Sequence, residues 1–420
     1  MPLMPAHLPV PDAVALAHSE RLRATLLARI QAAGGWLDFA AFMEGLLYAP
    51  GLGYYAAGAA RFNGAGDFTT APEISPLFGR TLARALAPIL RAIDDSDLFE
   101  PGAGSGRLAE TLLPALAELG ALPRRYRILE PSPALRAEQA ATLDPLPATL
   151  RERVVWIDDL PAQMRGVVLA NEVLDAMPVH LLRVADTPID GHRDAETTSE
   201  TETGTTPLLE RGVAVDSDGG FAWSDQPAAP WLHAQALANL PAGVLPAPGA
   251  VFELGLAARA WAAALGERLA EGAVVLIDYG FPAREFHHVQ RRAGTLMCHY
   301  RHHAHDDPFF LPGLQDVTAH VDFSAIAVAL REAGLRLHHF DNQAGFLLAH
   351  GLLEELAREV EPGSTDWLKR SVAVQALLSP AEMGELFKVL VALRDPRGRL
   401  APLLAGAGES AVCARLGVAI

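Results

Sequence analysis

Apolar positions along the 420-residue chain follow two rhythms. Between residues 12 and 33 they recur at helical spacing (Val14, Leu16, Leu22, Leu26, Leu27, Ile30) behind Asp12 and stop at Gly34-Gly35, which predicts a capped amphipathic helix. Further helices are predicted over 39–47 and over 76–93, where Leu77, Leu82, Leu86, Ile89 and Leu90 keep the same spacing. From Leu98 onward, short β-type runs at 98–100, 126–130, 154–157, 166–170 and 273–277 alternate with helical runs at 107–119, up to 143, and at 256–270. That alternation predicts an α/β fold with a doubly wound parallel sheet. Near the end, 323–333 reads as a helix, 335–340 and 345–349 as a final antiparallel pair, and 352–360 and 380–393 as helices.

These elements suggest five consecutive stretches. Residues 1–95 form an N-terminal helical and lid region, and 96–183 the first part of a Rossmann-like core. Residues 184–250 are an inserted β-hairpin segment whose tip, 185–207, is too polar to bury much surface and is expected to be disordered. Residues 251–350 complete the core around a polar insertion at 281–322, and 351–420 supply C-terminal helices. The loop around residues 64–75 carries two glycines, two acids and three hydroxyls; it either faces solvent or covers a ligand. The insertion gathers His287, His288, His299, His302, His303 and His305, but at no ligand spacing and crowded by Arg291, Arg292 and Arg301. It is expected to be a polar insertion that faces the substrate, with no metal.

Half of the residues are hydrophobic, enough for a large core, yet no apolar run reaches the roughly 20 residues that span a bilayer. The first residues lack a secretory layout, so a soluble intracellular protein is expected. Arg21, Arg23 and Arg29 would suit a mitochondrial transit helix, whereas Asp12 and Glu20 oppose one and favour a packing helix. Cys298 and Cys413 support neither a disulfide framework nor a zinc site. A formal charge of −16 argues against nucleic acid or anionic membrane as a partner and suits a cationic substrate.

The candidate chemistry falls at the carboxyl ends of the strands, where open parallel sheets bind ligands. Glu100 precedes a turn with alternating Gly102, Gly104 and Gly106. A dinucleotide fingerprint wants its third glycine at the sixth position, which here is Arg107, so NAD and FAD are disfavoured. Gly-x-Gly-x-Gly behind an acid is similar instead to motif I of S-adenosylmethionine methyltransferases. Glu130 ends the second strand roughly 20 residues downstream, where a carboxylate can take both hydroxyls of a ribose, unless it merely faces solvent. Asp158, beside Asp159, could accept from an adenine amino group. After the fourth strand, Asn171, Glu172 and Asp175 either cap a helix or fix the plane of a guanidinium through paired hydrogen bonds.

A wider resemblance then emerges. Phe42-Met43-Glu44, Gly53-Tyr54-Tyr55, Gly66-Asp67-Phe68-Thr69-Thr70-Ala71-Pro72-Glu73-Ile74-Ser75, Glu100 to Gly106, Ala170-Asn171-Glu172-Val173-Leu174-Asp175-Ala176-Met177-Pro178-Val179-His180, Asp278-Tyr279-Gly280 and the run from Gly313 to Phe323 occur in the order of the MidA family of S-adenosylmethionine-dependent methyltransferases. The family's Glu-Leu-Gly-Pro-Gly is here Glu100-Pro101-Gly102-Ala103-Gly104, which keeps the alternating glycines. The resemblance implies a class I methyltransferase fold and S-adenosyl-L-methionine as cofactor. It implies cofactor contacts from Glu100, Gly102, Gly104, Gly106, Glu130, Asp158, Asp67 and Glu73, and catalytic roles for Glu172, Asp175 and Asn171. Mitochondrial members are complex I assembly factors that dimethylate an arginine of a quinone-module subunit, so a protein-arginine substrate of that kind is expected. The match begins near Ala24, which favours a bacterial cytoplasmic member. A non-catalytic, cofactor-sensing assembly chaperone and a small-molecule methyltransferase remain as alternatives.

Overall fold

The computed structural model describes residues 8–57, 70–186, 208–241, 244, 246–361 and 363–419. The chain forms two compact units, each assembled from separate stretches: Met1–Phe62, Met177–Ala257 and Ala283–Ala319 in one, and Asn63–Ala176, Ala258–Pro282 and His320–Ile420 in the other.

The second unit is built on an eight-stranded sheet. Its strands are β1 (Asp97–Pro101), β2 (Tyr126–Leu129), β3 (Val154–Ile157), β4 (Met164–Asn171), β5 (Leu269–Phe281), β6 (Val321–Asp322), β7 (Arg336–Asn342) and β8 (Phe387–Arg394). The order is β7-β8-β5-β4-β1-β2-β3, with the short β6 beside β5. Strands β1 to β5 run parallel, and β8 lies antiparallel between β5 and β7. The order reverses between β1 and β4, which makes the carboxyl ends of those two strands the topological switch point of a Rossmann-like sheet. Long apolar side chains such as Phe78, Leu82, Leu112, Val167, Leu169, Val275 and Val389 form its core.

Two expectations for the C-terminal part are corrected. Residues 345–349 belong to the helix Gln343–Ala349, whose start is fixed by Asn342 accepting a hydrogen bond from the Gly345 N–H at 2.8 Å. The strand that pairs with β7 is β8, inside the stretch read as helix. The run Phe387 to Leu393 is apolar almost throughout because its strand is covered on both faces, and such a run has no period to separate it from a buried helix.

In the first unit, the helices Ala13–Ala32 and Phe39–Tyr48 start at Asp12 and Asp38, whose carboxylates accept from Ala15 and Ala41 N–H groups at 2.8 Å. They pack with a five-stranded sheet in which His180–Val184 pairs antiparallel with Leu208–Val215. Of the stretch 185–207, expected to be disordered, residues 187–207 lie outside the described residues. The histidine-rich insertion folds as the strands Met297–Tyr300, His303–His305 and Asp316–Thr318. Among the described residues, no helix is long and apolar enough to cross a membrane.

Candidate active site

Beyond β1 the chain turns through Gly102, Gly104 and Gly106 at φ of +63°, +53° and +86°, backbone that side-chain-bearing residues rarely adopt, and enters the helix Arg107–Glu118. The turn is packed on two sides. A Cβ on Gly106 would come within 3.2 Å of the Gln139 Cα, and one on Gly102 within 3.0 Å of Val173 Cγ2. A Cβ on Gly104 would meet nothing within 4 Å. The middle of the turn is therefore open to a bulky group approaching the main chain.

Glu100, just before the turn, is buried and accepts a 2.6 Å hydrogen bond from the Tyr126 hydroxyl on β2. Burial pushes its carboxyl up to about 7, against the opposing effect of that bond. Glu130, after β2, is also buried; one oxygen takes the Ser132 N–H at 2.9 Å and the other the Gln139 amide at 3.3 Å. Gln139 lies on the helix Pro133–Leu143, and its amide nitrogen also donates to the Gly104 carbonyl at 3.0 Å. Its carbonyl receives the Trp156 indole N–H at 2.8 Å. One fully buried amide thus ties the glycine turn to the acid of the second strand. Asp158 is exposed and paired with Arg136 at 2.6 Å. Glu73, on the short helix Ala71–Ile74, accepts from the Ser105 hydroxyl inside the glycine turn and lies 3.5 Å from Arg107 Nε. Asp67 lies outside the described residues.

Across the switch point, β4 ends at Asn171 and the chain bends at Glu172, a non-glycine residue at φ +54°. Asn171 Nδ2 donates to Glu172 Oε1 at 2.9 Å, which leaves Asn171 Oδ1 buried with no partner among the described residues. Asp175 is buried, and burial raises its carboxyl to about 6, while the Tyr279 side chain hydrogen-bonds to it and acts the other way. Its Oδ1 likewise has no partner among the described residues. Asp278, on β5, is buried beside both acids and is held well above the usual carboxylate range by burial, then by the Asp175 and Glu172 charges.

Residues 81–341 match the sequence profile of a family of S-adenosyl-L-methionine-dependent methyltransferases. The chain belongs to this family. A crystal structure from Burkholderia thailandensis, solved with bound S-adenosyl-homocysteine, is 45% identical at a TM-score of 0.84 and covers 96% of this chain and 97% of its own. A Drosophila melanogaster homologue of the mitochondrial protein arginine methyltransferase NDUFAF7 is 28% identical, over 89% of this chain and 84% of the fly protein. The Danio rerio protein of that name is 26% identical, over 87% and 85%.

The methyltransferase carries the Rossmann-like sheet expected of class I enzymes, with S-adenosyl-L-methionine as cofactor. Its residues fit that molecule. The open side of Gly104 leaves room against the main chain, and a carboxylate such as Glu130 has about four acceptor positions, more than its two internal bonds use. The structure gathers Glu73, Gly102, Gly104, Gly106 and Glu130 at one turn and Asn171, Glu172 and Asp175 at the next; Glu100 is engaged with Tyr126 and Asp158 with Arg136. The sequence marks Asp278 only as part of the Asp278-Tyr279-Gly280 block, with no role assigned, and does not single out Gln139. Asp278 carried a signal, an acid directly after an apolar strand run, whereas nothing local marks Gln139. In the other unit, the one group of possible metal ligands among the described residues is Asp38, His180 and Glu210 rather than the histidines of the insertion. There His180 pairs with Glu210 at 2.8 Å and Asp38 caps a helix.

Proposed function

We propose that the methyltransferase modifies an arginine side chain of a protein, a subunit of respiratory complex I being the expected partner. The observation that carries this reading is a pair of buried acceptors without partners among the described residues, Asn171 Oδ1 and Asp175 Oδ1, on one turn beside Glu172. A buried acceptor left unpaired costs about 1 to 3 kcal/mol, so such a turn is built for a donor-rich guest. A guanidinium offers five N–H donors in a plane and no acceptor. The names of the fly and fish relatives agree with that guest, and the MidA resemblance supplies the complex I partner.

S-adenosyl-L-methionine supplies an electrophilic methyl group, and displacement at carbon needs the nucleophile aligned more than it needs covalent help. Glu130 and the Gly104 turn hold the cofactor. Glu172 and Asp175 accept N–H groups of the guanidinium and fix its plane, and Asn171 Oδ1 takes a further one. Because the Asp175 carboxyl is raised to about 6, it is better able than an ordinary aspartate to hold the proton that a guanidinium nitrogen loses on methylation. The test uses methyl-labelled cofactor and a purified quinone-module subunit of complex I. Wild-type enzyme is expected to label the subunit, and Glu172→Ala to bind cofactor normally and label nothing. Cofactor binding without protein labelling, or labelling confined to small molecules, would overturn the proposal.

A further inference from the structure

The geometry points to Asp278 as the positioning residue of the substrate turn: one oxygen of its side chain holds the main-chain N–H groups that follow Glu172 and so sets where Glu172 and Asp175 stand. The inference rests on the reading of that turn as the element that receives the guanidinium.

Strands β4 and β5 run in register as far as the pair Asn171 and Ile277, and the ladder ends with the Glu172 N–H on the Ile277 carbonyl at 2.9 Å. The next residue on β5 is Asp278. Its Oδ2 accepts from Val173 N at 3.1 Å, Leu174 N at 2.9 Å and Asp175 N at 3.4 Å, while Oδ1 takes Tyr279 N at 2.9 Å. Three successive amides converge on this one oxygen, a main-chain nest filled by a side-chain acceptor. Residues 172–176 are neither helix nor strand, so these amides have no ladder or helical carbonyl to bond. At a turn where Leu174 and Asp175 are buried, the requirement that main-chain donors be satisfied is met by this side chain. The same contact offsets the left-handed backbone of Glu172, which costs roughly 1 to 2 kcal/mol in a residue with a Cβ.

A second tie runs the same way. Tyr279, adjacent to Asp278, hydrogen-bonds the Asp175 carboxylate through its side chain, so two consecutive residues of β5 fix both the backbone and the acid of the turn. Asp278 is nearly inaccessible, with 1% exposure, and its Oδ2 is occupied by the three amides. It therefore acts through the turn and not on the substrate.

The test compares Asp278→Ala with Asp278→Asn, which keeps an oxygen for the three amides and replaces only the oxygen that accepts from Tyr279 N. Amide hydrogen exchange of residues 173–175 needs no substrate; the three amides should lose protection in Asp278→Ala and keep it in Asp278→Asn. In methyl transfer, misplacing a reacting group by about 1 Å costs on the order of 100-fold, so Asp278→Ala should lose about that factor in kcat while its affinity for S-adenosyl-homocysteine stays within about threefold. Asp278→Asn should stay within about tenfold of wild type. Equal losses in both variants, or unchanged exchange in Asp278→Ala, would overturn the inference. Should Asp278→Ala fail to fold, Asp278→Asn decides alone: kcat within about tenfold and preserved exchange support the inference, and a larger loss contradicts it. If wild type transfers nothing to arginine while exchange responds as described, the functional reading fails and the role of Asp278 in holding the turn stands.

Discussion

Replacing Gln139 by leucine keeps the size of a fully buried side chain and removes three hydrogen bonds at once. The partners left behind are the Gly104 carbonyl, one oxygen of Glu130 and the Trp156 indole N–H. A buried polar group without a partner costs about 1 to 3 kcal/mol, but Gly104 is exposed and Trp156 half-buried, so water replaces part of what two of them lose. Glu130, buried and already raised by burial, bears the largest share. A net loss of about 2 kcal/mol is expected, and if most of it falls on the liganded form, affinity for S-adenosyl-homocysteine drops by about 10- to 30-fold. Calorimetric titration of wild type and Gln139→Leu, with a melting curve to verify folding, measures this directly. Binding within threefold of wild type by a folded Gln139→Leu protein would refute the coupling of the glycine turn to Glu130 through this amide.

Other outcomes follow from the same geometry. Gly104→Val places a β-branched residue at φ +53° with its Cβ in open space, so the protein should fold, about 1 to 2 kcal/mol less stable, and show no cofactor binding by calorimetry. Glu100 binds a proton in the folded protein up to about pH 7, whereas the unfolded chain releases it near 4.5. Its contribution to stability is therefore full below 4.5 and lost as pH rises through about 7. The stability difference between Glu100→Gln and wild type, from denaturant titrations, should grow in favour of the variant across that window; a difference independent of pH would show that Glu100 is not protonated there. Asp158→Ala removes only an exposed pair with Arg136 and should change stability by less than about 1 kcal/mol, read as an unchanged midpoint in urea.

The parts of the fold that announced themselves in the sequence are those whose cause is local. Alternating glycines at 102, 104 and 106 state a backbone requirement, and the apolar runs of β1 to β5 carry their own strand signature. The cap at Asp12 lies one residue before its helix, as the polar-then-periodic pattern requires. Strand β8 reads as helix from the sequence because burial on both faces erases periodicity. Asp278 and Gln139 stayed unassigned for a different reason: their partners are distant in sequence, Val173 for one and Gly104 for the other, and only the folded sheet brings them within bonding distance. The two units are each discontinuous, which no shift in composition along the chain reveals.

We propose that the turn at residues 171–175 receives a protein guanidinium. Tandem mass spectrometry of the quinone-module subunit after reaction with isotopically labelled cofactor tests it most directly, because it reads the residue type that gains the methyl group. Label is expected on an arginine with wild-type enzyme and none with Glu172→Ala; label on any other residue type, or an equal yield from Glu172→Ala, would contradict an arginine-receiving turn.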